Sequence, residues 1–389
     1  MPGYEVFGDE ERQAINELFE ANGGILFAHG FDALRKGIYK VREFEAAAAR
    51  KFAVAHAQAV SSGTAALRVA LAALGVGRGD EVIIPAFTFV ATAEAVIQSG
   101  ATLVVVDIDE SLNIDPEALA AAITPATRAI IAVHMLGAAA DMDAIAATAQ
   151  RHGLLIIEDA AQAVGGRWRG RYLGTLGAAG CFSFDAGKVI ITGEGGMVVT
   201  NDYPTFTRAR AYHDHGHEYS TTVGRGAEGA IGEGFNYRMT ELQGAIGIVQ
   251  LGKLEAIIAA QRANKARLTP LVSALGIRGR RLNDPEGELG DAIVMLFDDR
   301  QTTARFLAGL KREGLGTKNV PDAMRWHFAK HWSHMFEKYG WYRDSYREQW
   351  QRSADLLECA IALPVMVKMD EARIALIGDK LQNIAREVL

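Results

Sequence analysis

Residues 80–106 read DEVIIPAFTFVATAEAVIQSGATLVVV, and the pattern of this stretch decides the fold class. An unbroken apolar run, Val82-Ile83-Ile84, stops at Pro85. A segment with helical spacing follows over 88–98 and is closed by Gly100, and a second apolar run begins at Thr102. A strand, a helix and another strand with short connections form a β-α-β unit. The unit repeats in both directions. Upstream, 40–52 reads as an amphipathic helix, 57–60 as a short strand and 64–74 as a helix ended by Gly75. Downstream, the spacing predicts a helix over 116–122, a strand over 128–133, a helix over 142–151 and a strand over 154–157. These strands are continuous Val/Ile/Leu runs, as expected when helices cover both faces of a parallel sheet. An open α/β architecture follows, with ligands held at the carboxyl ends of the strands.

Beyond residue 180 the rhythm changes. Segments 181–184 and 197–200 read as strands around a glycine-rich turn, which suits a hairpin better than a crossover. A long helix is predicted over 238–268, and a last helix over about 370–388. The expected organisation is a large α/β domain over 1–268, including an N-terminal helical segment, and a smaller C-terminal α+β domain over 269–389.

The chain has 389 residues, and at about 150 per domain two domains are the natural division. With 41 Lys+Arg against 47 Asp+Glu the formal net charge is −6. That balance argues against nucleic acid, whose phosphates need a basic surface. Cys181 and Cys359 stand in no metal or redox spacing, as expected in a reducing cytoplasm. The acidic start MPGYEVFGDEER has no apolar core of a signal peptide, and no unbroken apolar run of membrane-spanning length is seen. The expectation is a cytoplasmic protein with neither nucleic-acid nor membrane partners.

Three local features carry chemistry. Ser61-Ser62-Gly63-Thr64 lies between a strand and a helix, where free N–H groups and the positive end of the helix dipole suit a phosphate. The same residues would equally serve as an ordinary helix cap. Glu158-Asp159 ends a strand, at the edge where open α/β sheets hold ligands; a helix-capping Asp is the plainer alternative. Lys188 sits between an apolar strand and the turn Gly193-Glu194-Gly195-Gly196, where desolvation would lower its pKa and make it a nucleophile toward carbonyls. Taken together, a phosphate cup, a carboxylate and an amine lie about 95 and about 30 residues apart. Pyridoxal 5'-phosphate needs those three groups.

The sequence resembles the DegT/DnrJ/EryC1/StrS family of sugar aminotransferases. The likeness runs through SSGTAAL (61–67), DEVIIPAFTFVAT (80–92), VHMLGAAADMDAI (133–145), IEDAAQAVGG (157–166), FSFDAGK (182–188), TGEGGMVVTND (192–202) and FNYRMTELQGAIG (235–247). It thins out toward the C-terminus. The resemblance implies the aspartate-aminotransferase-like fold, fold type I of pyridoxal-phosphate enzymes, and transfer of an amino group from L-glutamate to a keto-sugar. It further implies that Lys188 is the Schiff-base lysine and proton shuttle, and that Asp159 pairs with the pyridine nitrogen. Gln162, where many relatives have His, would hydrogen-bond the cofactor's phenolic oxygen, and Phe89 would stack on its ring. Ser62, Gly63, Thr64 and Ser183 would hold the phosphate. Asn236 would reach the cofactor phosphate of a neighbouring subunit, making a homodimer the smallest functional unit.

His213, His215 and His217, with His327, His331 and His334, have some look of metal ligands. No Cys or Glu partner has matching spacing, so no metal is expected. His215, His217, Arg225 and His331 are instead the expected substrate residues, because an Arg fork and neutral-range histidines suit a sugar-acid carboxylate. DHGH (214–217), RGAEG (225–229) and NDPEGE (283–288) are similar to the branch of the family that aminates an eight-carbon keto sugar acid. Two other readings compete. A dehydratase on the same scaffold would carry His in place of Lys188, and a non-catalytic regulator would bind the cofactor without turnover.

Overall fold

A computed structural model describes residues 2–339 and 349–389 of the chain. The apolar runs become strands β1 (His56–Val60), β2 (Glu81–Pro85), β3 (Thr102–Val106), β4 (Thr127–Val133) and β5 (Leu155–Asp159). A small hairpin, β6 (Arg167–Trp168) and β7 (Arg171–Tyr172), precedes β8 (Ala179–Ser183) and β9 (Gly196–Thr200). One seven-stranded sheet runs in the order β1-β9-β8-β5-β4-β2-β3. Neighbours from β8 to β3 pair in parallel; β9 is antiparallel to both β8 and β1. Successive side chains face opposite layers. Val82 and Ile84 join the core beneath helices Gly63–Ala73 and Val90–Ser99, while Ile83 joins the core shared with helices Lys40–Phe52 and Met142–His152. The carboxyl ends of β1, β2, β4, β5 and β8 therefore share one edge of the sheet.

The long helix covers Glu241–Ser273, starting and ending later than the sequence spacing predicts. Its start is displaced because Thr240 and Gln243 form a reciprocal capping box, which leaves FNYRM outside the helix. By length and composition this helix could cross a membrane, with a mean hydropathy of 1.3 in its most apolar window. Half of that window is buried inside the protein, and helices Asp9–Asn22 and Lys40–Phe52 pack along the helix.

Beyond it, β10 (Arg278–Gly279), β11 (Ala292–Leu296) and β12 (Ala360–Pro364) form a separate antiparallel sheet. Helices Arg300–Arg312 and Glu371–Val388 cover it around Phe306, Leu310, Leu381 and Ile384. The segment between β11 and β12 returns to the large sheet. Phe328, Trp332 and Met335 are buried in the same core as Val82 and Ile84. Backbone bonds seal the junction: Thr88 N–H to the His327 carbonyl at 2.9 Å, and Ala329 N–H to the Ala86 carbonyl at 2.9 Å.

Candidate active site

Where β1 ends, Ser62 takes the N-cap of helix Gly63–Ala73, its hydroxyl accepting from the Ala65 amide at 3.0 Å. The first-turn amides of Gly63 and Thr64 have no helical acceptor, so they and the dipole end face the sheet edge. The approach to the strands is close. A Cβ on Gly63 would lie 2.7 Å from Ser183 Cβ, and one on Gly196 would lie 2.2 Å from the Ser62 carbonyl oxygen. Only glycine lets this helix start meet the ends of β8 and β9, which puts the Ser183 hydroxyl beside the free amides.

Asp159 closes β5 and is 6% exposed. Its Oδ2 accepts from the Thr92 hydroxyl at 2.8 Å, and its Oδ1 accepts from the Ala161 amide at 3.2 Å. Thr92 and Thr88, both fully buried, are joined through their hydroxyls at 2.7 Å. Carboxylate orientation is thus set from the helix after β2. Its neighbour Glu158 points the other way, a fully buried carboxylate accepting from the amides of Gly174, Leu176 and Gly177 and from His134. The His134 Nδ1 accepts from Ala140 N–H at 3.2 Å, so Nε2 carries the proton that reaches Glu158. This pair fixes the loop between β5 and β8.

Lys188 follows β8 in a tight turn, its N–H donating to the Asp185 carbonyl at 3.0 Å and its carbonyl accepting from Gly3 N–H at 3.2 Å. Burial pushes its pKa below the ordinary lysine value, against the opposing pull of the Asp185 and Asp159 carboxylates, while Lys318 lowers it further. A cavity of about 110 Å³ gathers Ser62, Gly63, Thr64, Phe89, Asp159, Gln162, Ser183 and Lys188. A contiguous one of about 210 Å³ shares Phe89, Gln162 and Lys188 with it and adds Asp291, Lys318, Asn319 and His327. Eight of the nine residues expected around the cofactor therefore meet at one place.

Gln162 has a defined orientation. Its Oε1 accepts from Leu136 N–H at 3.3 Å and from Asn319 Nδ2 at 3.1 Å, which leaves its amide N–H groups as donors. Phe89, 43% exposed, has its ring 5.2 Å from that of His327 and tilted by 55°. Burial lowers the pKa of His327, the Lys188 charge lowers it further, and the hydrogen bond from its Nδ1 to the Ala323 carbonyl at 2.9 Å opposes them.

The remaining expected residues lie outside this cavity in the single chain. Asn236 is exposed and outside the cavity, its Oδ1 accepting from Arg238 N–H at 3.4 Å. Arg225 is turned inward to Asp214 at 2.6 Å, which Arg238 and Tyr219 also contact. Burial disfavours the Asp214 charge, yet these hydrogen bonds hold its carboxyl well below the usual range. His217 pairs with Glu228 at 2.7 Å, and His215 and His331 are exposed. The loop after helix Tyr203–Tyr212 folds on its own ion pairs, and none of Arg225, His215, His217 and His331 lines the Lys188 cavity. Thr92, Asp291, Lys318 and Asn319 carry no local sequence signal, and His327 stands out in the sequence only as one of a helically spaced group of histidines. Only the return of the 318–331 segment to β2 brings the last three here.

A mixed seven-stranded sheet with a carboxylate, a desolvated lysine and a phosphate cup at its carboxyl edge defines fold type I of the pyridoxal-phosphate enzymes. The model of the DegT/DnrJ/EryC1/StrS aminotransferase family matches residues 31–382, and the chain belongs to that family. GDP-perosamine synthase of Caulobacter vibrioides is 46% identical over 220 residues, 56% of this chain and 58% of that protein. The L-glutamine:2-deoxy-scyllo-inosose aminotransferase of Micromonospora echinospora is 44% identical over 248 residues, 61% of this chain and 58% of that protein. These matches span less than two thirds of either relative. The solved aminotransferase of Psychrobacter cryohalolentis, 28% identical, superposes over 98% of both chains with a TM-score of 0.87.

Pyridoxal 5'-phosphate is the cofactor of this family, and the residues present fit it. The glycine-permitted cup at Gly63 and Gly196 suits a phosphate, Asp159 is an oriented carboxylate, and the exposed Phe89 ring offers an apolar face.

Proposed function

We propose that the protein is a pyridoxal-phosphate-dependent transaminase that moves an amino group from L-glutamate to the aldehyde or ketone of a sugar, in amino-sugar or cell-surface polysaccharide synthesis. The observation that carries this reading is the convergence of Lys188, Asp159 and the Ser62–Thr64 cup on one cavity. The bound cofactor supplies an electron sink for breaking the bond between the substrate's α-carbon and its hydrogen. Lys188 Nζ holds the cofactor aldehyde and, once released, takes the proton from that carbon and returns it. Its lowered pKa keeps a larger share in the free-base form near neutrality. The Asp159 carboxylate keeps a proton on the cofactor's ring nitrogen, because a nearby anion favours the cationic ring. Gln162 donates to the phenolic oxygen, Phe89 covers one ring face, and the Gly63 and Thr64 amides with the Ser62 and Ser183 hydroxyls hold the phosphate. Asn236 serves the site of a second copy, which makes the enzyme a homodimer with shared sites. The unpaired thiols of Cys181 and Cys359 suit a cytoplasmic setting.

For the acceptor we favour 3,8-dideoxy-8-oxo-manno-octulosonate, on the short motifs at 214–217, 225–229 and 283–288. A nucleotide-linked keto-sugar is the second reading. It is favoured by a larger cavity, about 570 Å³, beside the phosphate cup, where Arg68, His334 and Lys338 accompany Phe235 and Tyr237. Cationic and aromatic groups together suit a diphosphate and a base. The test is a panel of acceptors with L-glutamate, scored by 2-oxoglutarate release. The octulosonate should exceed GDP-, UDP- and dTDP-linked 4-keto sugars by at least ~10-fold in kcat/KM, about 1.4 kcal/mol. Efficient amination of a nucleotide-linked sugar, with none of the octulosonate, reverses the choice of acceptor and leaves the transaminase reading standing.

A further inference from the structure

The wall of the 210 Å³ cavity built by the second half of the chain contains an ion pair to which none of the cofactor roles above is assigned. Lys318 Nζ pairs with Asp291 Oδ2. The backbone of Lys318 is pinned at both sides. Its N–H donates to the Ala362 carbonyl at 2.8 Å, and the Val320 carbonyl accepts from Ala362 N–H at 3.0 Å, so 318–320 extends the edge of β12. Asp291 is 3% exposed, and its Oδ1 has no hydrogen-bond partner. A Cβ on Gly137 would lie 2.5 Å from that oxygen, so the glycine leaves room for the carboxylate at this spot. The ammonium is therefore held by a rigid base and a fixed counter-charge.

Four facts give this arrangement a direction. An ammonium has three donors, and among the described residues this Nζ has one hydrogen-bond partner, Asp291, leaving two N–H groups for the cavity. Lys318 is the one lining cation besides Lys188 among the described residues. Burial makes Lys188 less basic, Lys318 adds to that effect and its partner Asp291 opposes it, and two lysines lining one cavity suit a site that receives an anion. Arg225, the residue whose chemistry best suits a carboxylate, is already bound to Asp214.

We propose that Lys318, oriented by Asp291, is the carboxylate anchor of the substrate site. This rests on the transaminase reading, whose donor and favoured acceptor both carry a carboxylate. A charge-assisted hydrogen bond is worth roughly 1.5–3 kcal/mol, so its loss weakens binding by about tenfold or more.

The test is calorimetric titration of the cofactor-loaded enzyme with two unreactive probes. Glutarate represents the donor. 3-Deoxy-manno-octulosonate represents the acceptor, with a hydroxyl in place of the aldehyde. Lys318→Met should weaken at least one probe by ~10-fold or more, and Lys318→Arg should keep most of the affinity. Weakening of glutarate alone assigns the anchor to the donor carboxylate, weakening of the sugar acid alone assigns it to the acceptor, and weakening of both means the two half-reactions share it. Lys318→Met strands the buried Asp291 charge and can fail to fold; the double variant Asp291→Asn/Lys318→Met removes both charges and should show the same loss. Unchanged affinity for both probes in a folded variant overturns the assignment, as does a wild-type enzyme that binds neither. Release of 2-oxoglutarate from L-glutamate by the wild type is scored separately. An enzyme that turns over but ignores Lys318 refutes the anchor alone, and one that releases none refutes the reading beneath it.

Discussion

The Lys188 cavity has two walls made in different ways. One is built by chain segments a few residues long, each at the end of a strand: 61–64 after β1, 158–162 at β5 and 183–188 at β8. The other is built by Asp291, just before β11, and by Lys318, Asn319 and His327, which share no motif and arrive on the segment that packs Phe328 and Trp332 into the core of the large sheet. Groups that act on the cofactor sit where the fold itself places a strand end and a helix start. The groups proposed to face the substrate depend on a segment positioned by a distant part of the chain. Such a division lets the acceptor change while the chemistry stays, since the second wall can vary without disturbing the cup.

If the division is right, damage to the first wall lowers kcat and damage to the second raises KM. Lys188→Ala should give the largest effect, loss of turnover with the fold intact; borohydride reduction of the wild type should leave the pyridoxyl group on the Lys188 peptide, and its appearance on another lysine would end the assignment. Asp159→Asn should come next, lowering kcat by ~10² or more because the ring-nitrogen proton is lost. Near wild-type turnover would return Asp159 to the role of a cap. Thr92→Val should cost about tenfold in kcat by releasing one Asp159 oxygen, with recovery in Thr92→Ser. Equal losses in both variants would mean that Thr92 matters only for packing.

The smallest effect couples the walls. Lys318 contributes to the lowered pKa of Lys188, and removing a neighbouring positive charge favours the protonated amine. The Lys188 pKa should therefore rise in Lys318→Met, and the free-base fraction at neutral pH should fall. Amine-reagent labelling of the cofactor-free protein across pH reads this directly. A profile that does not move toward higher pH would show that the two lysines do not sense each other.

The legibility of each wall in the sequence follows from the same contrast. The strand ends at Asp159 and Ser183 and the helix start at Gly63 were readable because apolar runs, glycine and small polar residues mark local structure. The parallel sheet and its one hairpin were readable for the same reason. Thr92 was hidden inside an ordinary helical pattern, and its partner, 67 residues away, is visible only in three dimensions. Lys318 and Asp291 come together because β11 and β12 pair across an insertion of more than sixty residues. Arg225 shows the opposite limit: its charge suits a carboxylate, and within the single chain it pairs with the protein's own buried Asp214.

The central claim is that Lys188 carries the cofactor through amino-group transfer from glutamate. A single-turnover experiment on the cofactor-loaded protein with L-glutamate and no acceptor tests it directly. The account predicts loss of the yellow absorption and release of one equivalent of 2-oxoglutarate per cofactor, both abolished in Lys188→Ala. A colour that persists, with no 2-oxoglutarate formed from either L-glutamate or L-glutamine, would contradict it.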